Sequence, residues 1–305
     1  MKQHFSALQW VVKCALVAVA LLFVWRQATL LIGYNLQQPA TTARDGSLIT
    51  LNRYIQEPTP EVALVGSSVT WRLKEQYFSI PSVRNLALAG GSPTTALTII
   101  ANQNKLPKIV LVETNVLSRP ADAELIGKFS GPRGHAPFFL RPLRTAVAAY
   151  ETWAHAPLDR ARARATVAQL LTRPPSDFDN QLYVERMLKG MNAEDPSDMV
   201  HQNVERLKRL IEDIEQRGSR AFLIEVPFAA PVERSRSVQI TKRITHESFP
   251  NPQSWLAIAA PREELRWADG VHLDERSALI VVQSLEKALR GSSEPAHGKI
   301  VTSRE

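Results

Sequence analysis

Short apolar runs recur along the chain and alternate with longer segments of helical periodicity. Apolar runs of roughly 4–8 residues are typical of strands buried on both faces of a parallel sheet. In the clearest helical segment, apolar residues recur every three or four positions and the segment ends at Gly218. The pattern predicts strands at residues 61–65, 83–88, 108–112, 220–226 and 254–258, and helices at 68–78, 93–105, 143–171, 204–216 and 274–289.

Strands that alternate with helices build a parallel sheet with helices on both faces. The order therefore predicts an α/β domain with a flavodoxin-like three-layer arrangement over about residues 61–290. Residues 117–198 form a long insertion whose middle is predicted to be helical, and insertions of this length are usually lids or binding surfaces. The polar residues 291–305 are predicted to be disordered.

The N-terminus carries the longest apolar stretch of the chain. Every residue from 10 to 25 is apolar except Lys13, and after Arg26 the apolar character resumes as far as Tyr34. Because about 20 residues span a bilayer, residues 1–34 are predicted to be a retained transmembrane anchor, followed by a polar linker at 35–60. A cleaved signal peptide is the alternative, but the nearest small-residue cluster lies well beyond the apolar core.

Polar motifs follow the first three predicted strands. Ser68 ends the segment Gly-Ser-Ser after the first, Gly90 lies in Ala-Gly-Gly after the second, and Asn115 ends Glu-Thr-Asn after the third. In a parallel sheet these three motifs meet at one edge, where α/β proteins bind ligands. Asp269 and His272 lie near the C-terminus in Asp-Gly-Val-His. A serine hydroxyl needs a base to become a nucleophile, and an imidazole base needs a carboxylate to hold its tautomer.

This ordered set resembles the SGNH, or GDSL-type, hydrolase superfamily over most of the chain, from about residue 61 to 289. The resemblance implies that Ser68 is the nucleophile, His272 the general base and Asp269 the carboxylate that orients it. It also implies an oxyanion hole formed by the backbone N–H groups of Ser68 and Gly90 and the side-chain amide of Asn115.

Two of the blocks depart from the pattern of that family. Ser67 stands where the first block usually has aspartate, and the third block has Glu113 and Val116 where Gly-x-Asn-Asp is usual. Membrane-anchored envelope members of the superfamily tolerate such changes. The resemblance therefore implies a serine esterase or O-acyltransferase acting on acyl esters, by first choice acetyl, of a cell-envelope polysaccharide.

Localisation and partners follow from the same resemblance. It implies a single-pass protein of the bacterial inner membrane with its domain in the periplasm, working beside a multispanning membrane acyltransferase. One alternative is a non-catalytic scaffold that binds a glycan or a membrane complex. Another is a lysophospholipase or thioesterase with an acyl pocket roofed by residues 137–140.

Each motif also has a simpler structural explanation. Asn115 can cap the segment that follows it, and Gly90 can serve a turn that needs positive φ. Asp269 and His272 can be a helix cap and a surface histidine. The joint occurrence of the motifs in the order of the family favours the catalytic interpretation.

Charge and cysteine content bear on the function classes of nucleic-acid binding, membrane binding and metal binding. The net charge of +7 is spread among interleaved acidic residues, and no nucleic-acid module is recognisable. The basic segment 128–173 suits anionic lipid headgroups, an anionic glycan or a solvated helix face. The only cysteine, Cys14, lies in the apolar stretch, and no Cys/His pattern for zinc occurs, so neither a metal nor a cofactor is predicted.

Overall fold

A computed structural model of the chain describes residues 2–32, 42–131, 160–177 and 179–293. The chain forms two compact units, of which the first includes residues 1–40 and the second includes the sheet. The described helices are α1 Lys2–Ile32, α2 Ala43–Gln56, α3 Ser68–Trp71, α4 Pro93–Ala101, α5 Ala123–Phe129, α6 Arg160–Thr172, α7 Gln181–Ala193, α8 Ser197–Gln216, α9 Ala230–Glu233, α10 Arg236–Ser248 and α11 Glu275–Ser293. The strands are β1 Val62–Val65, β2 Val83–Asn85, β3 Ile109–Glu113 and β4 Arg220–Ile224.

The four strands form one parallel sheet in the order β2-β1-β3-β4. The predicted α/β class with a parallel sheet is therefore confirmed. The chain leaves β1 toward β2 on one side and returns to β3 on the other, so the strand order reverses between β1 and β3. Ligands of open α/β sheets bind in the crevice beyond the strand ends at such a reversal.

Helices cover both faces of this sheet. Every residue of β1 is buried, and in β3 and β4 only the first residue is accessible. Alternate strand residues on one face, including Leu64, Leu111 and Phe222, pack in a single apolar cluster with residues of α11. On the other face α4 contacts β1 and β3, and α8 contacts β4. The continuous apolar runs of the sequence are explained by this double coverage.

The predicted fifth strand at 254–258 is wrong. One parallel bridge joins Trp255 to Leu223, and the N–H of Leu256 donates to the carbonyl of Leu223 at 2.9 Å. A 3-10 turn at Pro252–Ser254 precedes the bridge and another at Arg262–Glu264 follows. The indole of Trp255 stacks on the ring of His246.

The prediction of a linker at 35–60 is wrong for most of that segment. Residues Ala43–Gln56 form α2, which buries Leu51, Tyr54 and Ile55 almost completely. Arg44 of this helix pairs with Asp122 and Glu124 at the start of α5. The helix therefore belongs to the folded domain, and its apolar residues at spacings of three and four are a helical face among polar neighbours.

The predicted helix at 68–78 is shorter than expected. It ends at Trp71, and a 3-10 turn follows at Glu75–Tyr77. The side-chain amide of Asn85 donates to the carbonyls of Thr70 and Leu73, at 2.8 and 2.9 Å. These bonds to β2 take the acceptors that a longer helix would use.

Other predicted boundaries move by smaller amounts. The helix predicted at 93–105 ends at residue 101, the one at 204–216 begins at 197, and the last extends to 293. Of the helix predicted at 143–171, the part from 160 is helical. Residues 143–159, the predicted roof at 137–140 and the tail from 294 lie outside the described residues.

Helix α1 contains one segment that is long and apolar enough to cross a membrane. Ala7–Trp25 has 19 residues and a mean hydropathy of 2.2, and none of it is buried. Thirty-one helical residues rise about 46 Å, more than the roughly 30 Å of a bilayer core. A signal sequence has the same properties, so the helix by itself shows only the capacity to span.

Candidate active site

Three side chains from distant parts of the sequence form one chain of hydrogen bonds. Ser68 Oγ lies 2.8 Å from His272 Nε2, and His272 Nδ1 lies 2.7 Å from Asp269 Oδ2. Both are hydrogen-bond distances, at which an imidazole can take a hydroxyl proton while a carboxylate holds its other ring nitrogen. The structure thus brings together the predicted nucleophile, base and orienting acid. Ser68 and His272 are 204 positions apart in the sequence.

Asp269 is held in its ionised form. Its partial burial acts to raise the pKa, but hydrogen bonds from the ring and backbone of His272 and the backbone of Val271 lower the pKa of Asp269 to about 2. An ionised carboxylate only accepts hydrogen bonds, so the ring proton of His272 resides on Nδ1. Nε2 is then the acceptor for the Ser68 hydroxyl.

The 269–272 turn is closed by its own backbone and anchored to the end of β4. Trp267 and Leu273 form an antiparallel bridge, and the N–H of Ala268 donates to the carbonyl of His272 at 2.8 Å. The carbonyl of Gly270 accepts the N–H of Ala229 at 2.9 Å. Two N–H groups of the turn, at residues 271 and 272, donate to Oδ1 of Asp269 at 3.0 and 2.8 Å. The imidazole is therefore fixed at the carboxyl edge of the sheet.

Ser68 begins helix α3 directly after β1. Ser67 caps the helix, since its hydroxyl accepts the N–H of Val69 at 3.2 Å. The carboxylate of Glu113, at the end of β3, accepts the Ser67 hydroxyl at 2.7 Å and the N–H groups of Ser67 and Thr70 at 2.8 and 3.1 Å. Glu113 and Ser67 are both completely buried.

The segments with Ser68, Gly90 and Asn115 leave the sheet at the same edge. β1 pairs with β3 as far as Val65 and Val112, and Ser68 and Asn115 each follow three residues after those positions. On the other side of β1 the N–H of Leu88 donates to the carbonyl of Gly66 at 2.9 Å, and Gly90 and Ser68 each follow two residues later. The three residues therefore lie in the segments that follow the carboxyl ends of three neighbouring parallel strands.

Gly90 has the geometry expected of a turn with an open backbone. Its φ is +80°, a value that L side chains rarely adopt. Its N–H donates to no acceptor in the described part of the chain, and Arg119 Nη1 lies 3.8 Å from the position that a Cβ would take. The turn explanation is thus satisfied, and the N–H is still available to a ligand.

Asn115 bridges to the strand neighbouring its own and does not cap a helix. Its Nδ2 donates to the carbonyl of Val226 at 2.8 Å, and its Oδ1 accepts the N–H of Val226 at 2.8 Å. A primary amide has two N–H groups. One is therefore used to hold the side chain against the end of β4, and the second has no acceptor among the described residues.

Helix α7 of the long insertion lies against the 269–272 turn. Asn180 donates its amide to the carbonyl of Trp267, and Val184 lies 3.5 Å from the position of a Cβ on Gly270. Leu182 and Tyr183, which lie between them in the first turn, are exposed. The insertion therefore packs against the turn that carries His272.

Glu113 has a role that the sequence motifs do not predict. In the motif it is a departure from a family pattern, whereas in the structure its carboxylate binds the turn that carries Ser68. A single charged residue at the end of an otherwise apolar strand, Ile-Val-Leu-Val-Glu, is the signal that could have indicated a buried partner.

Neither a metal-binding cluster among the described residues nor a similar known protein accompanies this site. The described residues contain no group of three or more His, Cys, Asp or Glu side chains arranged to hold a metal ion. Comparison with protein-family models, with curated proteins and with solved structures finds no match to this chain.

Proposed function

We propose that this chain is a membrane-anchored serine esterase or O-acyltransferase of the SGNH type. It acts outside the cytoplasm on acyl esters, by first choice acetyl, of a cell-envelope polysaccharide. The observation that carries the proposal is the hydrogen-bonded series from Ser68 Oγ through His272 to Asp269. Such a series is the general arrangement of an activated serine nucleophile.

The reaction begins with attack of Ser68 Oγ on the acyl carbonyl. His272 Nε2 takes the hydroxyl proton, and Asp269 holds the imidazole in position and stabilises its positive charge. The oxyanion accepts hydrogen bonds from the N–H groups of Ser68 and Gly90 and from the second N–H of Asn115.

Collapse of the tetrahedral intermediate expels the alcohol, which receives the proton from His272. The acyl group then leaves Ser68 by attack of water, which gives hydrolysis, or of a sugar hydroxyl, which gives transfer. In both cases His272 removes the proton from the attacking oxygen and returns it to Ser68. The two outcomes share all the residues described above.

The assignment to the SGNH type is supported by the arrangement of the motifs on the fold. Ser68, Gly90 and Asn115 follow β1, β2 and β3 in that order, and the strand order reverses between β1 and β3. The Asp-x-x-His segment precedes the last helix. The three-layer arrangement predicted from the sequence is part of the same proposal.

The extracytoplasmic location rests on helix α1. A single apolar N-terminal helix acts as a signal anchor that leaves the following domain on the far side of the membrane. An envelope polysaccharide is the acylated substrate that such a domain meets, and a multispanning acyltransferase is the partner that would supply acyl groups for transfer.

The nucleophile is tested with a fluorophosphonate probe, which reacts covalently with activated serines. Ser68→Ala should abolish both labelling and turnover of a short-chain aryl ester. Ser67→Ala should still be labelled, because the Ser67 hydroxyl is buried against Glu113. Labelling that survives in Ser68→Ala contradicts the proposal. A wild-type protein that is neither labelled nor active indicates the non-catalytic scaffold instead, and preference for a long-chain ester indicates a lysophospholipase.

A further inference from the structure

The turn between β1 and α3 is held by one buried carboxylate from the neighbouring strand. Glu113 is completely buried, and its two oxygens receive three donors from this turn: the N–H groups of Ser67 and Thr70 and the hydroxyl of Ser67. No basic side chain in the described part of the chain pairs with it. Three donors converging on two oxygens are what an acceptor-only carboxylate requires.

These bonds use every N–H group at the start of α3 except one. The N–H groups of Ser67 and Thr70 go to Glu113, that of Val69 goes to Ser67 Oγ, and that of Trp71 goes to the carbonyl of Ser67. The N–H of Ser68 has no acceptor among the described residues. Among the N–H groups of residues 67–71 it is therefore the one left for a developing oxyanion.

The contact between the strand and the turn is close enough to require glycine. A Cβ on Gly66 would lie 2.5 Å from Glu113 Oε2 and 2.7 Å from the Cβ of Thr70. Real Cβ atoms do not approach other atoms so closely, so any other residue here would push Glu113 or α3 away. Gly66 thus brings the carboxylate within reach of the turn.

We propose that Glu113 is a positioning residue for Ser68. By holding the 66–70 turn it fixes the direction of the Ser68 N–H and the approach of the Ser68 hydroxyl to His272. This inference rests on the proposed serine chemistry and deepens it. Glu113 does not touch the reacting atoms, so its removal should slow the chemical step and leave substrate binding unchanged.

A second buried carboxylate far from Ser68 also accepts two N–H groups and one serine hydroxyl, and in addition it lies 4.0 Å from Arg290. Glu286 in α11 is 5% exposed and accepts the N–H of Ser79, the hydroxyl of Ser79 and the N–H of Ile80, at 2.7, 2.7 and 3.0 Å. Glu286→Gln therefore disturbs an equivalent set of bonds without touching the 66–70 turn, and it is the matched control for Glu113→Gln.

The test compares both glutamine variants of the full chain by thermal unfolding, by the rate of fluorophosphonate labelling and by kcat and KM on a short-chain aryl ester. Because small misplacement of a reacting group costs up to about 100-fold in rate, Glu113→Gln should lower the labelling rate and kcat by about 10–100-fold, with KM within about twofold of wild type. It should still reach full labelling at long times. Glu286→Gln should lower the melting temperature and leave both rates within about twofold.

A folded Glu113→Gln protein with wild-type rates overturns the inference, as does a Glu286→Gln protein that is slowed equally. If Glu113→Gln does not fold, Ser67→Ala replaces it. This change removes the hydroxyl link to Glu113 together with the cap on the N–H of Val69, keeps the two N–H bonds to Glu113, and should slow labelling about 5–10-fold. Unchanged labelling in Ser67→Ala then overturns the inference. In all these outcomes the wild type is labelled at Ser68, whereas failure of the proposed function leaves the wild type unlabelled.

Discussion

At the scale of single residues, the position of His272 depends on the space around Gly270. This glycine has φ +88°, and a Cβ there would lie 2.7 Å from Val232 Cγ2. Gly218 has nearly the same φ, +90°, but a Cβ there would meet nothing within 4 Å. An L residue would therefore be strained in backbone conformation at both positions, but its Cβ would be crowded only at Gly270.

Replacing each glycine by alanine separates these two costs. Gly218→Ala should lower the free energy of unfolding by about 1–2 kcal/mol, from strain alone. Gly270→Ala should cost a further 1–3 kcal/mol or so from overpacking, and it should slow ester turnover because the imidazole moves. Urea unfolding and steady-state kinetics measure both effects. Equal destabilisation of the two variants, with turnover intact in Gly270→Ala, contradicts the assigned packing.

The acid stability of the protein depends in part on Asp269. Its pKa is lowered from 3.8 to about 2 in the folded chain. A lowered pKa contributes stability that is fully present above the unfolded value and is lost as the pH falls through the folded value. The contribution of Asp269 should therefore disappear between about pH 4 and pH 2.

Asp269→Asn should remove this part of the pH dependence, which is measured by urea unfolding at a series of pH values. It should also lower kcat by about 10⁴-fold, the effect that the same change has in serine-protease triads. Ser68→Ala is the control, because it abolishes turnover but keeps the bonds between Asp269 and His272. An Asp269→Asn protein that loses stability below pH 4 as steeply as Ser68→Ala would contradict the assignment.

At the scale of secondary-structure elements, α2 is a structural part of the domain. Leu51 in this helix is fully buried, whereas Leu182 in α7 is 63% exposed. Leu51→Ala should lower the free energy of unfolding by about 2–5 kcal/mol, because it leaves a cavity in a packed core. Leu182→Ala makes the same chemical change and should stay within about 0.5 kcal/mol of wild type. A small effect of Leu51→Ala in denaturant titrations would return residues 43–56 to the role of a linker.

At the scale of the whole molecule, α1 should keep the protein in the membrane. Removing residues 1–41 leaves α2 and the sheet intact, so the shortened chain should be soluble and should react with fluorophosphonate at the wild-type rate. The full chain should resist extraction by alkaline carbonate, and protease added outside the cytoplasmic membrane should digest the domain. Fractionation and immunoblotting distinguish these outcomes.

Two results would contradict the predicted topology. A soluble protein that begins near residue 43 or 44 would show that the apolar segment is a cleaved signal peptide. Protection of the domain from external protease would place it in the cytoplasm, and the envelope polysaccharide would then be excluded as substrate.

The sequence alone determined the α/β class, the four paired strands and the residues that meet at Ser68. Buried parallel strands need continuous apolar runs, and a catalytic site needs particular side chains. Both requirements therefore produce short patterns that can be recognised in the sequence. Strand register then carries the local motifs after β1, β2 and β3 to one edge without any further information.

Tertiary structure decided where elements end and what supports the site. Helix α3 stops at Trp71, where Asn85 of β2 binds the carbonyls of Thr70 and Leu73. The strand predicted at 254–258 is reduced to one bridge with a 3-10 turn on either side. Glu113 is 43 residues from Thr70 and 46 residues from Ser67 in the sequence, so its role depends on the fold that brings them together. Such effects come from contacts between segments far apart in sequence. Hydrophobic periodicity indicates which side of a segment is buried, but it does not identify the polar group that this side contacts.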